Sequence, residues 1–259
     1  AIRWGIIGAG RIAKTFATDI KQAKNACLYA VASRQLESAQ SFSQLFAINK
    51  AYGNYAALLA DPNVDAVYIA TPHSHHKDQA IAALRAGKHV LCEKPATVTP
   101  DELEEVLAAA QQESRYFMEG MWTYFLPVIK KAQEWVNAGR IGKLCHVKAD
   151  FGFALPYSPD LREYDNRLAG GCLLEMGIYP IAMAWLFLQQ DPNAQTVWHD
   201  CLPRVPRRWA ECGSLQSTMS SRESCETGTQ ATRGHCCKSS GKHKLAAESK
   251  RAQQQTEKA

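Results

Sequence analysis

The sequence predicts an α/β protein, with a doubly wound parallel sheet over residues 1–120 and a second, α+β part beginning at 121. Three observations carry this. Strand-like and helix-like patterns alternate from residue 2 to about 118, the mark of repeated βαβ units. A Gly8-x-Gly10-x-x-Ala13 turn joins the first strand pattern to the first helix pattern, which is the context a dinucleotide-binding turn requires. After residue 127 the order changes to a long helix followed by period-two alternation over 144–153, as in an antiparallel strand covered on one face.

The elements follow in order. Residues 2–7, Ile-Arg-Trp-Gly-Ile-Ile, read as a buried strand. Residues 12–20 are helical, 27–32 a second strand, and 36–46 a helix with Leu36, Ala39, Phe42, Leu45 and Phe46 on one side. A short helix at 55–59 ends before Asp61-Pro62, and a third strand spans 66–70. The helix at 77–86 stops at Gly87, a residue suited to the left-handed C-terminal position. Residues 89–92 form the fourth strand. Thr99 caps a helix opened by Pro100 and running to about 112, and 116–118 is the fifth strand. In the second part, a helix over 127–138 ends at Gly139, 144–153 is a strand, 171–188 is helical and 196–199 starts another strand.

Composition sets further bounds. At 259 residues and 46% apolar content, the chain can bury a core. The longest apolar run, 178–188, falls short of a bilayer span and contains Pro180. The chain opens directly on a strand pattern, so a cytoplasmic protein without membrane attachment is expected. The net charge of +5 does not indicate a nucleic-acid partner: residues 1–199 hold 19 basic and 19 acidic side chains, and the excess lies wholly in 200–259. That last stretch also loses hydrophobic pattern. Leu202, Val205, Leu215 and Leu245 are its whole complement of Leu, Ile, Val and Phe, too few to offset the entropy of ordering. Three accounts compete for it: a natural disordered tail, a frameshifted end, or misassigned sequence. The abruptness of the change favours the latter two. Of nine cysteines, Cys27, Cys92, Cys145 and Cys172 read as small buried thiols. Cys201, Cys212, Cys225, Cys236 and Cys237 lack the paired spacing of a zinc site.

The chemistry-bearing residues sit at predicted strand ends. In the first turn, Gly8 permits a tight bend, Gly10 lets the backbone approach a pyrophosphate, and Ala13 allows close helix–strand packing. Gly8, Ala9, Gly10, Arg11 and Ile12 are thus cofactor-binding candidates. Ser33-Arg34 follows the second strand, where NAD-selective turns carry an acidic residue; a guanidinium there suits the 2′-phosphate of NADP, so NADP is expected over NAD. The run Thr71-Pro72-His73-Ser74-His75-His76 ends the third strand. It has no local carboxylate or thiol to complete a metal site, so Thr71, His73 and His76 are expected to line the cofactor crevice and His75 to be exposed. Glu93-Lys94-Pro95 follows the fourth strand and directs a lysine toward the nicotinamide end, which makes Glu93 and Lys94 cofactor-binding candidates. In Gly170–Tyr179, Glu175 and Tyr179 share a helical face. Lys94 beside Tyr179 would lower the phenol's pKa, with Glu175 orienting the lysine. Arg162, Tyr164 and Arg167 precede the glycine pair and are candidates for a substrate pocket by position.

These stretches, in this order, resemble the glucose–fructose oxidoreductase and inositol dehydrogenase (Gfo/Idh/MocA) family, in its branch of dimeric dihydrodiol and NADP-dependent D-xylose dehydrogenases. The match runs over about 2–199 and includes Arg3-Trp4-Gly5-Ile6, Ala51-Tyr52-Gly53-Asn54-Tyr55, Leu91–Pro95, Met118–Thr123 and Gly177-Ile178-Tyr179. The resemblance implies a Rossmann domain and a second domain with an open, mostly antiparallel sheet that serves as a homodimer face. It also implies hydride transfer between nicotinamide and a sugar, polyol or cyclic diol carbon. Lys94 and Tyr179 correspond to the catalytic pair, Tyr179 as general acid/base, and Trp122 falls among the cofactor contacts. Glu175 stands where this branch has Asp, and Tyr124 where it tends to have Arg. Relatives are longer, and their remaining strands would fall in the unpatterned tail. A cofactor-binding regulator without turnover, or an inactive truncated product, is the competing reading.

Overall fold

The computed structural model describes residues 1–188, 195–199 and 215–220; within the last two segments only the backbone is described. The first part alternates β1 (Ile2–Ile7), α1 (Arg11–Asp19), β2 (Ala26–Ala32), α2 (Leu36–Phe46), β3 (Lys50–Tyr52), α3 (Tyr55–Leu59), β4 (Ala66–Ile69), α4 (His76–Arg85), β5 (His89–Cys92), α5 (Pro100–Gln112) and β6 (Phe117–Glu119). The strands form one sheet in the order β3-β2-β1-β4-β5-β6, and every neighbouring pair is parallel. The order reverses between β1 and β4, so a crevice opens there beyond the strands' C-terminal ends.

Successive strand residues point to opposite faces, and both faces are buried. Ile7, Val67, Ile69 and Val90 pack under α4 and α5 through Ala80, Leu84 and Val106. Ile6, Val31 and Tyr68 pack against α1 and α2 through Ala13, Ala17 and Phe42. This two-sided burial is why these strands read as unbroken apolar runs. Helix ends follow local chemistry as well. The Thr99 hydroxyl accepts a hydrogen bond from the Glu102 N–H at 3.3 Å, and Gly87 (φ 75°) closes α4.

The second part holds α6 (Pro127–Asn137), β7 (His146–Phe151), α7 (Ile178–Leu188), β8 (Gln195–His199) and β9 (Leu215–Ser220). The strands form an antiparallel sheet in the order β7-β9-β8. α7 packs on it through Ala184 and Leu188 against Leu144 and Val147.

The structure corrects several expectations. β3 was missed: it has three residues, too few to show a period. The third strand ends at Ile69 rather than 70, the edge strand is Phe117–Glu119 rather than 116–118, and β7 covers 146–151 rather than 144–153. The expected helix over 171–188 begins as a π-helical turn, Leu173–Gly177. Most of the unpatterned stretch, with its five cysteines, lies outside the described residues. Within it, however, Leu215–Ser220 is the central strand of the second sheet. Asn166–Leu188 is long and apolar enough by composition to cross a membrane. Left-handed Ala169 (φ 57°) and Gly171 (φ 139°) interrupt it, leaving among the described residues a continuous helix shorter than the roughly 20 residues a bilayer requires.

Gly8 is the residue on which the first turn depends. Its φ is 98°, and a Cβ there would lie 2.9 Å from the Ala70 carbonyl oxygen. Gly8→Ala should destabilise the protein by about 2 kcal/mol or more, measured by chemical denaturation; an unchanged midpoint would show that the turn relaxes freely.

Candidate functional site

The sheet's hydrogen bonding continues past the strand ends and places the loops. Gly8 N–H donates to Ala32 O at 2.9 Å, Ser33 N–H to Tyr52 O at 3.1 Å, Glu93 N–H to Ile69 O at 3.0 Å, and Gly120 N–H to Cys92 O at 2.6 Å. The turn after β1, Ser33-Arg34, Thr71–His76, Glu93-Lys94-Pro95 and Gly120–Trp122 therefore line one edge.

Gly10 precedes α1, and a Cβ at that position would meet nothing within 4 Å. Its side faces open space, α1 has no side-chain cap, and Arg11 and Ile12 are exposed beside it. An uncapped helix N-terminus next to a bare backbone accepts a pyrophosphate. Ser33, Arg34, Gln35 and Ser38 line an open concavity of about 560 Å³. Exposed Arg34 there can meet a phosphate, and no carboxylate lines the concavity to repel one. The residues present thus fit a phosphorylated dinucleotide.

His76 is fully buried, with Nδ1 2.8 Å from Pro95 O and Nε2 2.8 Å from Thr71 O. It ties the loop after β4 to the loop after β5. Burial pushes its pKa down and the two carbonyls pull it up. The Thr71 hydroxyl donates to Gln79 Oε1 at 2.6 Å. Buried His73 is pushed down to about 3, chiefly by desolvation. His75 is exposed. Among the described residues, no group of three or more His, Cys, Asp or Glu is placed to hold a metal ion.

Lys94, Glu175 and Tyr179 come together at the end of β5. Lys94 Nζ donates to the Glu175 main-chain oxygen at 2.8 Å and lies 3.7 Å from its Oε2. The same ammonium stands 5.2 Å from the centroid of the Tyr179 ring. The Tyr179 hydroxyl accepts a hydrogen bond from Trp122 Nε1 at 3.2 Å, and its ring packs edge-on against Phe151 at 4.9 Å. Burial pushes Lys94 down, opposed by Glu175 and Glu93.

One electrostatic expectation is corrected here. Tyr179 was expected to have a lowered pKa; burial raises it instead, and the opposing pull comes from the Trp122 hydrogen bond. Lys94 faces the ring rather than the hydroxyl, which weakens its hold on the phenolate. Glu175 meets the expected lysine, at 2.8 Å through its main-chain carbonyl and at 3.7 Å through its carboxylate.

The three pocket candidates separate. Arg162 joins the cluster, with Nη1 2.9 Å from Glu175 Oε1 and Nη2 donating to Oε2 at 3.3 Å. The first of these is an ion pair without aligned hydrogen-bond geometry. The Tyr164 hydroxyl is held by Leu155 O at 2.7 Å. Arg167 pairs with Asp165 and is exposed. Phe151 and Glu119 are not among the residues singled out from the sequence, whereas Glu93 is; both acids are half-buried. Glu93 receives a short hydrogen bond from the Tyr68 hydroxyl. Glu119 Oε1 accepts from Ala96 N–H at 2.8 Å. Desolvation raises both pKa values. An acidic residue at a strand end was the available signal. Tyr124 is half-buried, and burial pushes its hydroxyl up to about 12.

Residues 2–121 match the oxidoreductase family with an NAD-binding Rossmann fold, GFO/IDH/MocA, and residues 129–211 match the C-terminal domain of that family. The chain belongs to the GFO/IDH/MocA oxidoreductase family. A relative, the trans-1,2-dihydrobenzene-1,2-diol dehydrogenase of Mus musculus, is 42% identical over 196 residues, covering 74% of this chain and 58% of the relative. The D-xylose 1-dehydrogenase (NADP(+)) of Hypocrea jecorina is 36% identical over 218 residues, covering 76% of this chain and 54% of that protein. Among solved structures, the 3-ketoreductase KijD10 of Actinomadura kijaniata, in complex with NADP and TDP-benzene, aligns with a TM-score of 0.68 at 33% identity. That alignment covers 76% of this chain and 59% of the ketoreductase. The chain thus spans somewhat under six-tenths of the length of these relatives.

The double role of His76 yields a prediction. His76→Phe fills the space but removes the ring's N–H donors, one in the neutral imidazole and two in the protonated ring, and each main-chain carbonyl that loses its donor costs about 1–3 kcal/mol. The denaturation midpoint should fall, and dinucleotide affinity with it; calorimetry and titration read the two losses separately.

Proposed function

We propose that this protein is an NADP-dependent oxidoreductase acting on a CH–OH carbon of a sugar, polyol or cyclic diol. The observation that carries the reading is the meeting of Lys94, Glu175 and Tyr179 at the crevice edge, beside a turn and a concavity suited to a phosphorylated dinucleotide. Family membership and the names of the dehydrogenase and ketoreductase relatives support it. NADP, when bound, supplies the hydride donor or acceptor.

The chain's own residues handle the proton. Tyr179 is a phenol at neutral pH because burial disfavours the phenolate, so in the reducing direction its hydroxyl can protonate a developing alkoxide. When the proton leaves, Trp122 Nε1–H already points at the phenolate oxygen. The Lys94 ammonium stabilises the negative ring at a distance, and the Glu175 carbonyl fixes where that ammonium stands. In the oxidising direction the same phenolate takes the substrate proton. Arg34 and Ser33 bind the 2′-phosphate; Gly8 to Ile12 bind the pyrophosphate; Thr71, His73, His76, Glu93, Lys94 and Trp122 line the crevice. A cytoplasmic setting and a homodimer through the second sheet belong to the same proposal.

Two substitutions test it. Tyr179→Phe should lower turnover by about 100-fold or more, the usual contribution of a general acid, while a fluorescence titration still shows NADPH binding. Unchanged turnover would remove Tyr179 from the proton step. Arg34→Ala should weaken NADPH by roughly tenfold or more, as expected for losing a charge-assisted contact, and leave NADH nearly unaffected. Equal losses for the two would sink the 2′-phosphate role. NADPH binding without hydride transfer across a broad sugar and diol panel would instead favour a cofactor-binding regulator.

A further inference from the structure

The Glu175 carboxylate is nearer to Arg162 than to Lys94. Arg162 Nη1 and Nη2 lie 2.9 and 3.3 Å from its two oxygens, whereas Lys94 Nζ is 3.7 Å from Oε2. The close contact of Lys94 is a neutral carbonyl, the main-chain oxygen of Glu175 at 2.8 Å. A planar guanidinium presents two nitrogens to a carboxylate, here as one hydrogen bond and one close ion pair, and an ammonium meets it as a point. We propose that Arg162 is a positioning residue that takes the Glu175 carboxylate away from Lys94 and thereby sets the protonation of Lys94. This rests on the catalytic role proposed for Lys94 above.

The backbone is built to deliver Arg162 to that place. Gly170 carries no side chain where a Cβ would lie 2.3 Å from Arg162 O and 2.8 Å from Glu163 O. The 162–163 backbone therefore rests directly against the residues that open the Glu175 turn. Gly170 N–H donates to Asp165 O at 3.0 Å and Asp165 N–H to Arg162 O at 3.1 Å, which closes the loop on itself. Glu175 has the longer of the two acidic side chains, and it reaches Arg162 while its own main chain stays at Lys94.

The charges around Lys94 give the direction. Glu175 and Glu93 favour the ammonium; burial and Arg162 oppose it. Glu119 also feels Lys94, and the Tyr179 ring lies beneath it. Around Glu175, His73 Nε2 lies 3.5 Å from Oε1, but with its pKa near 3 this ring is neutral at working pH. Glu163 Oε1 lies 3.5 Å from Arg162 Nε and competes for the same guanidinium. Removing Arg162 removes a repelling charge and frees the carboxylate for the lysine. Both changes raise the pH at which Lys94 loses its proton.

The test needs no turnover. Competitive amine labelling of the full chain across neutral to alkaline pH, read by mass spectrometry at Lys94, gives its titration midpoint. In Arg162→Gln the midpoint should move to higher pH, and the neutral amine fraction at a fixed lower pH should fall roughly three- to tenfold, a size limited by solvent screening of a partly exposed arginine. Arg162→Lys keeps a charge without the fork and should move the midpoint the same way by less. An unmoved midpoint in Arg162→Gln, with NADPH binding and melting like the parent, overturns the proposal. Should Arg162→Gln fail to fold, an unmoved midpoint in Arg162→Lys does so. If the parent chain transfers no hydride while the midpoint shifts as expected, the oxidoreductase reading fails and the role of Arg162 stands. Where turnover exists, its pH profile should move with the midpoint.

Discussion

The hydrogen bond from Lys94 Nζ to the main-chain oxygen of Glu175 ties the two parts of the candidate site together across 81 positions of sequence. Lys94 belongs to the loop after β5, and Glu175 to the π-helical turn before α7. Without this contact the parallel sheet would present a lysine to open crevice, and Tyr179 would be an aromatic residue packed on Phe151. With it, the ammonium, the phenol and the carboxylate share one small volume at the edge where the strand order reverses. The partner is a backbone atom, so it cannot swing away as a side chain can, and the position of Lys94 is as firm as the fold of the turn.

The electrostatics of that volume are a balance of unlike terms. Burial opposes ionisation of Lys94, Glu93 and Glu119 alike. Opposite charges restore it in part, and Arg162 adds a positive charge that satisfies one acid at the expense of the lysine. His73 is withdrawn from the count by desolvation; at His76 burial likewise opposes the charged ring, while the two main-chain carbonyls against its nitrogens favour it. Such a cluster is sensitive to small changes in distance, since in a partly desolvated site an interaction that water would screen retains more of its strength.

How much of this is legible in the sequence depends on which atoms do the work. The parallel sheet is legible because burial on both faces writes itself as apolar runs, and α2 and α3 have the expected bounds for the same reason. The Thr99 cap and the Gly87 stop are legible because their chemistry is local. β3 is not, being three residues long, and β9, Leu-Gln-Ser-Thr-Met-Ser, carries too little hydrophobic pattern to stand out from its surroundings. The residues of the site are legible from their places at strand ends; their contacts are not. Nothing in the sequence marks a π turn, or says that the main chain of Glu175 will serve Lys94 while its side chain turns to Arg162. Tyr164 and Arg167 stand in the right loop, yet a carbonyl and an adjacent aspartate take them first.

The order of strands in the second sheet has a consequence for how the chain assembles. β9 lies between β7 and β8 although it follows both in sequence. As the chain emerges during synthesis, β7 and β8 have no partner among the described residues until Leu215–Ser220 appears, whereas each strand of the first sheet finds its neighbours within residues 2–119. The parallel domain can therefore condense while the second sheet is still an open gap, and the closing of that gap must wait for a long-range pairing of the slow kind. Interrupting translation between β8 and β9 would leave two strand edges exposed beneath α7, a species prone to association with its own kind.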